Sequence, residues 1–237
     1  MQRKIRRKID SIKYINKINR RKSIKKEEYK HMSISKEKYE IINVKKKEDK
    51  IIIVGNGPSV LNKELGEKID NFDKVVGINN FQIEGFEKYV GTKVDIWCKS
   101  DSTMIPHVKD FKFEQILWFI PSISFKKNCK IPMELGGNNA LVGIETINRL
   151  HSTLFEKYPN KAKARTLRPT TGMFTILYFL ELYNDITIYG FDCFEGHENG
   201  IHYFEDFKKQ NMNGHDVLWE KVYIRCIINN NEIKGLS

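Results

Sequence analysis

Ile51, Ile52, Ile53 and Val54 form a four-residue β-branched run that stops at Gly55-Asn56-Gly57-Pro58-Ser59, and helix-compatible sequence follows. A short apolar run closed by glycines reads as a buried strand, a tight turn and a helix start. Glycines let backbone approach a ligand closely, and the free N–H groups of a following helix favour a phosphate or another anion. Two readings stay open at this point, a nucleotide site and a ligand-free structural turn. The segment is neither a complete Gly-x-Gly-x-x-Gly fingerprint nor a Walker loop.

Further elements of the same kind follow. Asp73–Phe81 reads as a strand ending in the pair Asn79-Asn80, and Lys93–Cys98 and Gln115–Ile120 as two more strands. Strand ends in an open α/β sheet are where ligands bind. Asn79 or Asn80 is therefore a candidate partner for a ribose or a base edge, and equally an ordinary turn former. Between Ser122 and Arg165 the pattern is mixed and reads as helical, broken at Gly136-Gly137-Asn138-Asn139. Arg168-Pro169-Thr170-Thr171-Gly172 then introduces the apolar run Met173–Tyr183, a buried helix that Thr170 or Thr171 is placed to cap. Asp185–Asp192 follows as the last sheet strand, ending in Gly190-Phe191-Asp192. Helices alternating with strands imply a parallel sheet.

Charge separates the first fifty residues from the rest. Residues 1–50 hold 19 Lys/Arg against 7 Asp/Glu, a net of +12, whereas the other 187 hold 22 against 23. A near-neutral folded region argues against nucleic acid as a partner, because a nucleic-acid-binding domain carries a basic face of its own. Ile5, Ile9, Ile12, Ile15 and Ile18 are spaced for one face of a helix otherwise occupied by Lys and Arg. Such a basic amphipathic helix suits an anionic membrane surface, and a solvated tail or a helix docked on a partner remain alternatives. The expected organisation is a basic arm and linker over 1–48 and one domain over 49–237. No secretory signal or membrane span is read, and Cys98, Cys129, Cys193 and Cys226 are too scattered for a disulfide framework or zinc site. The expected location is cytoplasmic, peripheral on the inner face of the membrane.

Two histidine segments remain, His202-Tyr203-Phe204-Glu205 and His215–Glu220. Their place among loops beyond the last expected strand makes them candidates for chemistry at the strand ends. No His-x-x-x-His pair and no Asp-x-Asp occurs in the chain, so neither a catalytic metal nor a cofactor is expected.

Taken in order, these segments resemble the sialylmotifs of the eukaryotic-type sialyltransferases. The large motif is similar to Val54-Gly55-Asn56-Gly57 through Ile69-Asp70, Asp73, Asn79 and Val90-Gly91-Thr92-Lys93. The small motif is similar to Pro169-Thr170-Thr171-Gly172 with Ile188-Tyr189-Gly190-Phe191, the third to His202-Tyr203-Phe204-Glu205, and the last to His215 with Glu220. Gly55-Asn56-Gly57-Pro58-Ser59 and Gly190-x-Asp192 also resemble bacterial sialyltransferases. Two features depart from the pattern: no cysteine stands where the family joins its large and small motifs, and Gly77 replaces the usual arginine. The chain is also short, which implies a reduced acceptor lid.

The resemblance implies an α/β fold, a single Rossmann-like domain with a mostly parallel sheet flanked by helices, a GT-A-like variant. It implies metal-independent, inverting transfer of a sialic acid or related 2-keto acid sugar from a CMP-activated donor to a glycan hydroxyl. Under it, His215 is the general base, His202 assisted by Tyr203 donates to the leaving phosphate, and Glu220 orients a histidine. Donor binding falls to Gly55, Asn56, Gly57, Ser59, Asn79, Asn80, Thr170, Thr171, Gly172, Gly190, Phe191, Asp192 and Tyr203. A CMP-Kdo transferase, another nucleotide enzyme of the pyrophosphokinase-like or Maf-like type, and a non-catalytic membrane-attached module are the competing readings.

Overall fold

The computed structural model describes residues 45–100, 112–119, 138–142, 169–193, 202–204, 215 and 217–237. The basic arm expected over 1–48 lies almost wholly outside these residues. Among them, no helix is long and apolar enough to cross a membrane.

The strands are β1 (Lys47–Val54), β2 (Lys74–Ile78), β3 (Ile96–Lys99), β4 (Gln115–Trp118), β5 (Asn138–Leu141), β6 (Tyr183–Tyr189) and β7 (Lys234–Gly235). They form one sheet in the order β5-β4-β3-β2-β1-β6-β7, and every pair is parallel. Sequence order runs outward from β1 through β2 to β5 on one side and resumes with β6 and β7 on the other. The direction therefore reverses between β1 and β6, and the crevice beyond the carboxyl ends of these strands is the natural ligand position of an open parallel sheet. This is a Rossmann-like arrangement.

Both sheet faces are covered, as parallel sheets require. Ile51 and Ile53 point into a cluster with Val76, Ile78, Leu117 and Phe119, closed by helices α3 (Thr171–Leu182) and α4 (Val217–Asn229). Ile52 and Val54 face the opposite cluster with Val75, Trp97, Ile116 and Trp118, covered by the 3₁₀ turn Pro58–Asn62 and by the short helices α1 (Gly66–Asp70) and α2 (Glu87–Val90). Ile51, Ile52 and Ile53 are all fully buried, so the unbroken apolar run has a direct cause: side chains alternate between two dry faces. Truncating one of them to alanine costs about 2–5 kcal/mol.

The large-motif tail is architectural. Asp70 accepts the N–H of Thr92 at 2.8 Å and its hydroxyl at 3.0 Å, and Gly91, at φ +83°, passes so close that a Cβ would lie 2.6 Å from the Asp70 carboxylate. Lys93 donates to the Phe72 carbonyl at 2.8 Å. These bonds tie the β1–β2 crossover to α2 and the entry to β3. At Gly77 a Cβ would lie 3.0 Å from Val94 and 3.1 Å from Phe81, which fill the space beside β2.

Several expectations change. β1 begins at Lys47, inside the expected linker, because Lys47 and Lys50 pair with Tyr183 and Asp185 of β6. The helix expected over Met173–Tyr183 starts at Thr171 and ends at Leu182, and Tyr183 is already the first residue of β6. Asn138–Leu141, which spans the end of the expected Gly136–Asn139 break and the resumed helical pattern, is instead strand β5. Its asparagines are poor strand formers, and pairing with the buried β4 imposes the conformation. β6 is followed by a further strand, β7, on its outer side.

Candidate active site

An open cleft lies at the carboxyl ends of β1, β2 and β6, at the point where strand order reverses. The β1 turn contributes Gly55, Asn56 and Gly57, the end of β2 contributes Ile78 and Asn79, and the β6 turn contributes Gly190, Phe191, Asp192 and Cys193. The first turn of α3 adds Thr170, Thr171, Gly172 and Met173, α4 adds Glu220 and Ile224, and His202 completes the lining.

The glycines act first on the chain itself. Gly55 N–H donates to the Tyr189 carbonyl at 2.7 Å and Gly57 N–H to the Gly190 carbonyl at 3.0 Å. A Cβ on Gly55 would overlap the Gly190 carbonyl, and one on Gly57 would lie 2.5 Å from the Asp192 carboxylate. Gly190 has φ +72°, a conformation open to glycine, and a Cβ there would lie 2.5 Å from Val60. The three glycines thus allow the β1 and β6 turns to interlock at the floor of the cleft.

Two asparagines face the cleft with opposite polarity. The Asn56 amide nitrogen donates to the carbonyls of Ile78 at 3.0 Å and Asn80 at 2.7 Å, which commits both of its hydrogens and leaves Oδ1 as the uncommitted atom. Asn79 sits in the left-handed region at φ +48°, which asparagine tolerates. Its N–H donates to Cys98, its carbonyl accepts from the Trp97 indole at 2.7 Å, and its Oδ1 accepts from Ser100 N–H at 3.2 Å. The Nδ2 hydrogens of Asn79 are what remain. Asn56 therefore presents an acceptor, and Asn79 presents donors.

The α3 N-terminus is the candidate anion site. Of the two threonines that could have capped this helix, Thr170 does so, its Oγ1 accepting from Met173 N–H at 3.2 Å. The buried Glu220 carboxylate accepts Thr170 N–H at 2.8 Å and Thr170 Oγ1–H at 2.6 Å. Two hydrogen bonds and the positive end of the helix offset the cost of burying this charge. The next amides, Thr171 and Gly172, point out of the helix end without an intrahelical acceptor, which is the arrangement that receives phosphate.

Among the expected site residues, Ser59, Asn80, Tyr203 and His215 do not line the cleft. Ser59 donates both its N–H, at 2.8 Å, and its hydroxyl to the Asp192 carboxylate, so Ser59 and Asp192 are clasped to each other. Asn80 supplies the backbone carbonyl held by Asn56. Tyr203 was expected beside the phosphate, but its hydroxyl bonds both the N–H and the carbonyl of Gln82, its ring packs on Phe86 and Phe204, and its N–H donates to Asn56. Burial pushes the Tyr203 phenol up to about 12. Tyr203 therefore locks the loop after β2, and that same anchoring carries its neighbour His202 to the cleft. The His202 ring stacks on Phe204, with centroids 5.4 Å apart. His215 is half-buried and stands two residues before α4. Glu220 holds Thr170, a partner the sequence did not suggest for it.

Ile78, Met173, Cys193 and Ile224 were not anticipated. Ile224 follows Glu220 by one helical turn and was accessible to that argument; the others carry no local signal. The Cys193 thiol is pushed up to about 12, first by burial and then by the Glu220 charge. Among the described residues, no group of three or more His, Cys, Asp or Glu is placed to hold a metal.

Comparison with known proteins bears on this site. The model of glycosyltransferase family 29 (sialyltransferase) matches residues 2–231. The chain is 25% identical over 217 residues to the human CMP-N-acetylneuraminate-beta-galactosamide-alpha-2,3-sialyltransferase 4, covering 79% of this chain and 64% of that protein. It is 24% identical to the rat CMP-N-acetylneuraminate-beta-1,4-galactoside alpha-2,3-sialyltransferase, covering 79% of this chain and 57% of the relative. The chain thus spans less than two thirds of the length of these curated relatives. Its fold is like that of a mammalian sialyltransferase crystal structure, with a TM-score of 0.58 and 19% identity over 80% of this chain and 69% of that one. A second crystal structure with the same scores holds Gal-beta-1-3GalNAc-ortho-nitrophenol.

Proposed function

The chain belongs to glycosyltransferase family 29, the sialyltransferases, and on that premise we propose that it transfers a sialic acid from a CMP-activated donor to a glycan hydroxyl. The observation that carries this reading is the cleft at the β1/β6 reversal, where the free amides of α3, the two asparagines of opposite polarity and His202 converge. A CMP donor offers what these groups complement: an anionic phosphate for the helix end, and hydroxyls and a base edge for paired donors and acceptors.

The reaction is a single displacement with inversion. The acceptor oxygen forms a bond to the anomeric carbon, the bond from that carbon to the phosphate oxygen breaks, and its electron pair leaves with CMP. The transition state is oxocarbenium-like, so charge develops on the departing phosphate, where the Thr171 and Gly172 amides and a donor N–H of His202 stabilise it. His215 takes the acceptor proton. No metal is required, in keeping with a chain that has no Asp-x-Asp. The basic arm, with its isoleucine stripe, brings the enzyme to an anionic membrane surface.

The test is to incubate the full chain with CMP-sialic acid and, in parallel, CMP-Kdo, using Gal-beta-1-3GalNAc-ortho-nitrophenol as acceptor, with and without EDTA. CMP release with sialylated product, undiminished by EDTA, is the expected result. Absence of CMP release from both donors would overturn the proposal; release from CMP-Kdo alone would reassign the sugar, and loss on chelation restored by Mn²⁺ would reassign the phosphate chemistry.

A further inference from the structure

Ser100 does not line the cleft, yet it joins two elements that do. Immediately after β3, its N–H donates to Asn79 Oδ1 at 3.2 Å, and its hydroxyl oxygen accepts from Thr171 Oγ1. Thr171 lies in the first turn of α3, and its carbonyl in turn accepts from the buried Thr175 hydroxyl at 2.8 Å. Through this one residue the end of β2 and the N-terminus of α3 are held at a fixed separation, although they lie about ninety residues apart in sequence.

The consequence concerns which atoms face a ligand. An unconstrained asparagine amide can rotate by half a turn and exchange donor for acceptor. At Asn79 the Ser100 N–H fixes Oδ1 on the protein side, so the Nδ2 hydrogens face outward. At Thr171 the hydroxyl is spent on Ser100, which leaves the backbone amide as the group that meets an anion. We infer that Ser100 is a positioning residue whose hydroxyl ties the α3 N-terminus, and so its placement toward CMP, to the strand end where the Ser100 backbone N–H holds Asn79 with its donors outward. The inference rests on the CMP reading above.

CMP affinity of the full chain, measured by calorimetry for wild type, Ser100→Ala, Thr171→Val, the double variant and Thr171→Ser, together with urea unfolding midpoints, tests this. Ser100→Ala, which keeps the backbone N–H to Asn79 and loses only the hydroxyl held by Thr171, should weaken CMP about fivefold to tenfold, the size of one lost hydrogen bond. The double variant should be no worse than the more affected single variant, because both remove the same bond. Thr171→Ser, which keeps the hydroxyl, should lose less CMP affinity than Thr171→Val. Unchanged affinity in Ser100→Ala, or independent additive effects of the two substitutions, would overturn the inference alone. So would a loss of stability in Ser100→Ala with CMP affinity retained. A wild-type chain that does not bind CMP overturns the CMP reading and this inference with it.

Discussion

Asp192, in the turn after β6, accepts both the N–H and the hydroxyl of Ser59, which lies 133 residues earlier in the turn after β1. This clasp and the interlocked glycines make the floor of the cleft rigid before any ligand arrives. Asp192→Asn removes the charge that both donors serve and should cost about 1–3 kcal/mol of stability, read from urea midpoints. A variant as stable as wild type would show that the glycine interlock alone holds the two turns.

The two asparagines should respond differently to the same isosteric change. Asn79→Asp retains an acceptor for Ser100 but replaces the outward donors with an anionic oxygen. CMP affinity should fall at least about tenfold with little change in unfolding midpoint. Asn56→Asp deprives the Ile78 and Asn80 carbonyls of their donors, so it should destabilise the fold by about 2–4 kcal/mol. Equal behaviour of the two variants in both assays would refute the opposite polarities.

Tyr203 makes an alkaline prediction. Its phenol is raised from 10.0 to about 12 by burial, which outweighs the lowering effect of its bond to the Gln82 carbonyl. Between these values the folded chain holds a proton that the unfolded chain has released, so stability is complete below pH 10 and declines as pH rises toward 12. Tyr203→Phe lacks this proton. The stability gap between wild type and variant should narrow by on the order of 1–3 kcal/mol over that window, as followed by urea denaturation. A gap independent of pH would contradict the assignment.

The histidines carry separate expectations under the proposed mechanism. His215→Ala should lower sialyl transfer by at least about a hundredfold while CMP affinity holds, as loss of a general base does. His202→Ala should weaken CMP binding as well as turnover, since His202 lines the cleft. Steady-state kcat together with CMP affinity distinguishes them, and near-normal turnover of the His215 variant would exclude it as the base.

Much of this was legible in one dimension because it depends on local pattern. The run Ile51–Val54, the strand ending at Tyr189 and the apolar helix after Thr170 are set by burial on two sheet faces or within a helix, and burial leaves a periodicity in the chain. The order of the motifs likewise pointed to the strand ends where the cleft lies. What only tertiary structure decided concerns partners distant in sequence. The glycines at 55, 57 and 190 read as room for a ligand, but they are required first by backbone meeting backbone across β1 and β6. Tyr203 read as a helper of His202 in the donor site, yet the Gln82 backbone takes its hydroxyl. β5 takes its conformation from β4, and Ser100 gains its place from Asn79 and Thr171. Such contacts follow from the reversal of strand order at β1, and strand order is a property of how segments pack together, to which propensity within any one segment does not respond.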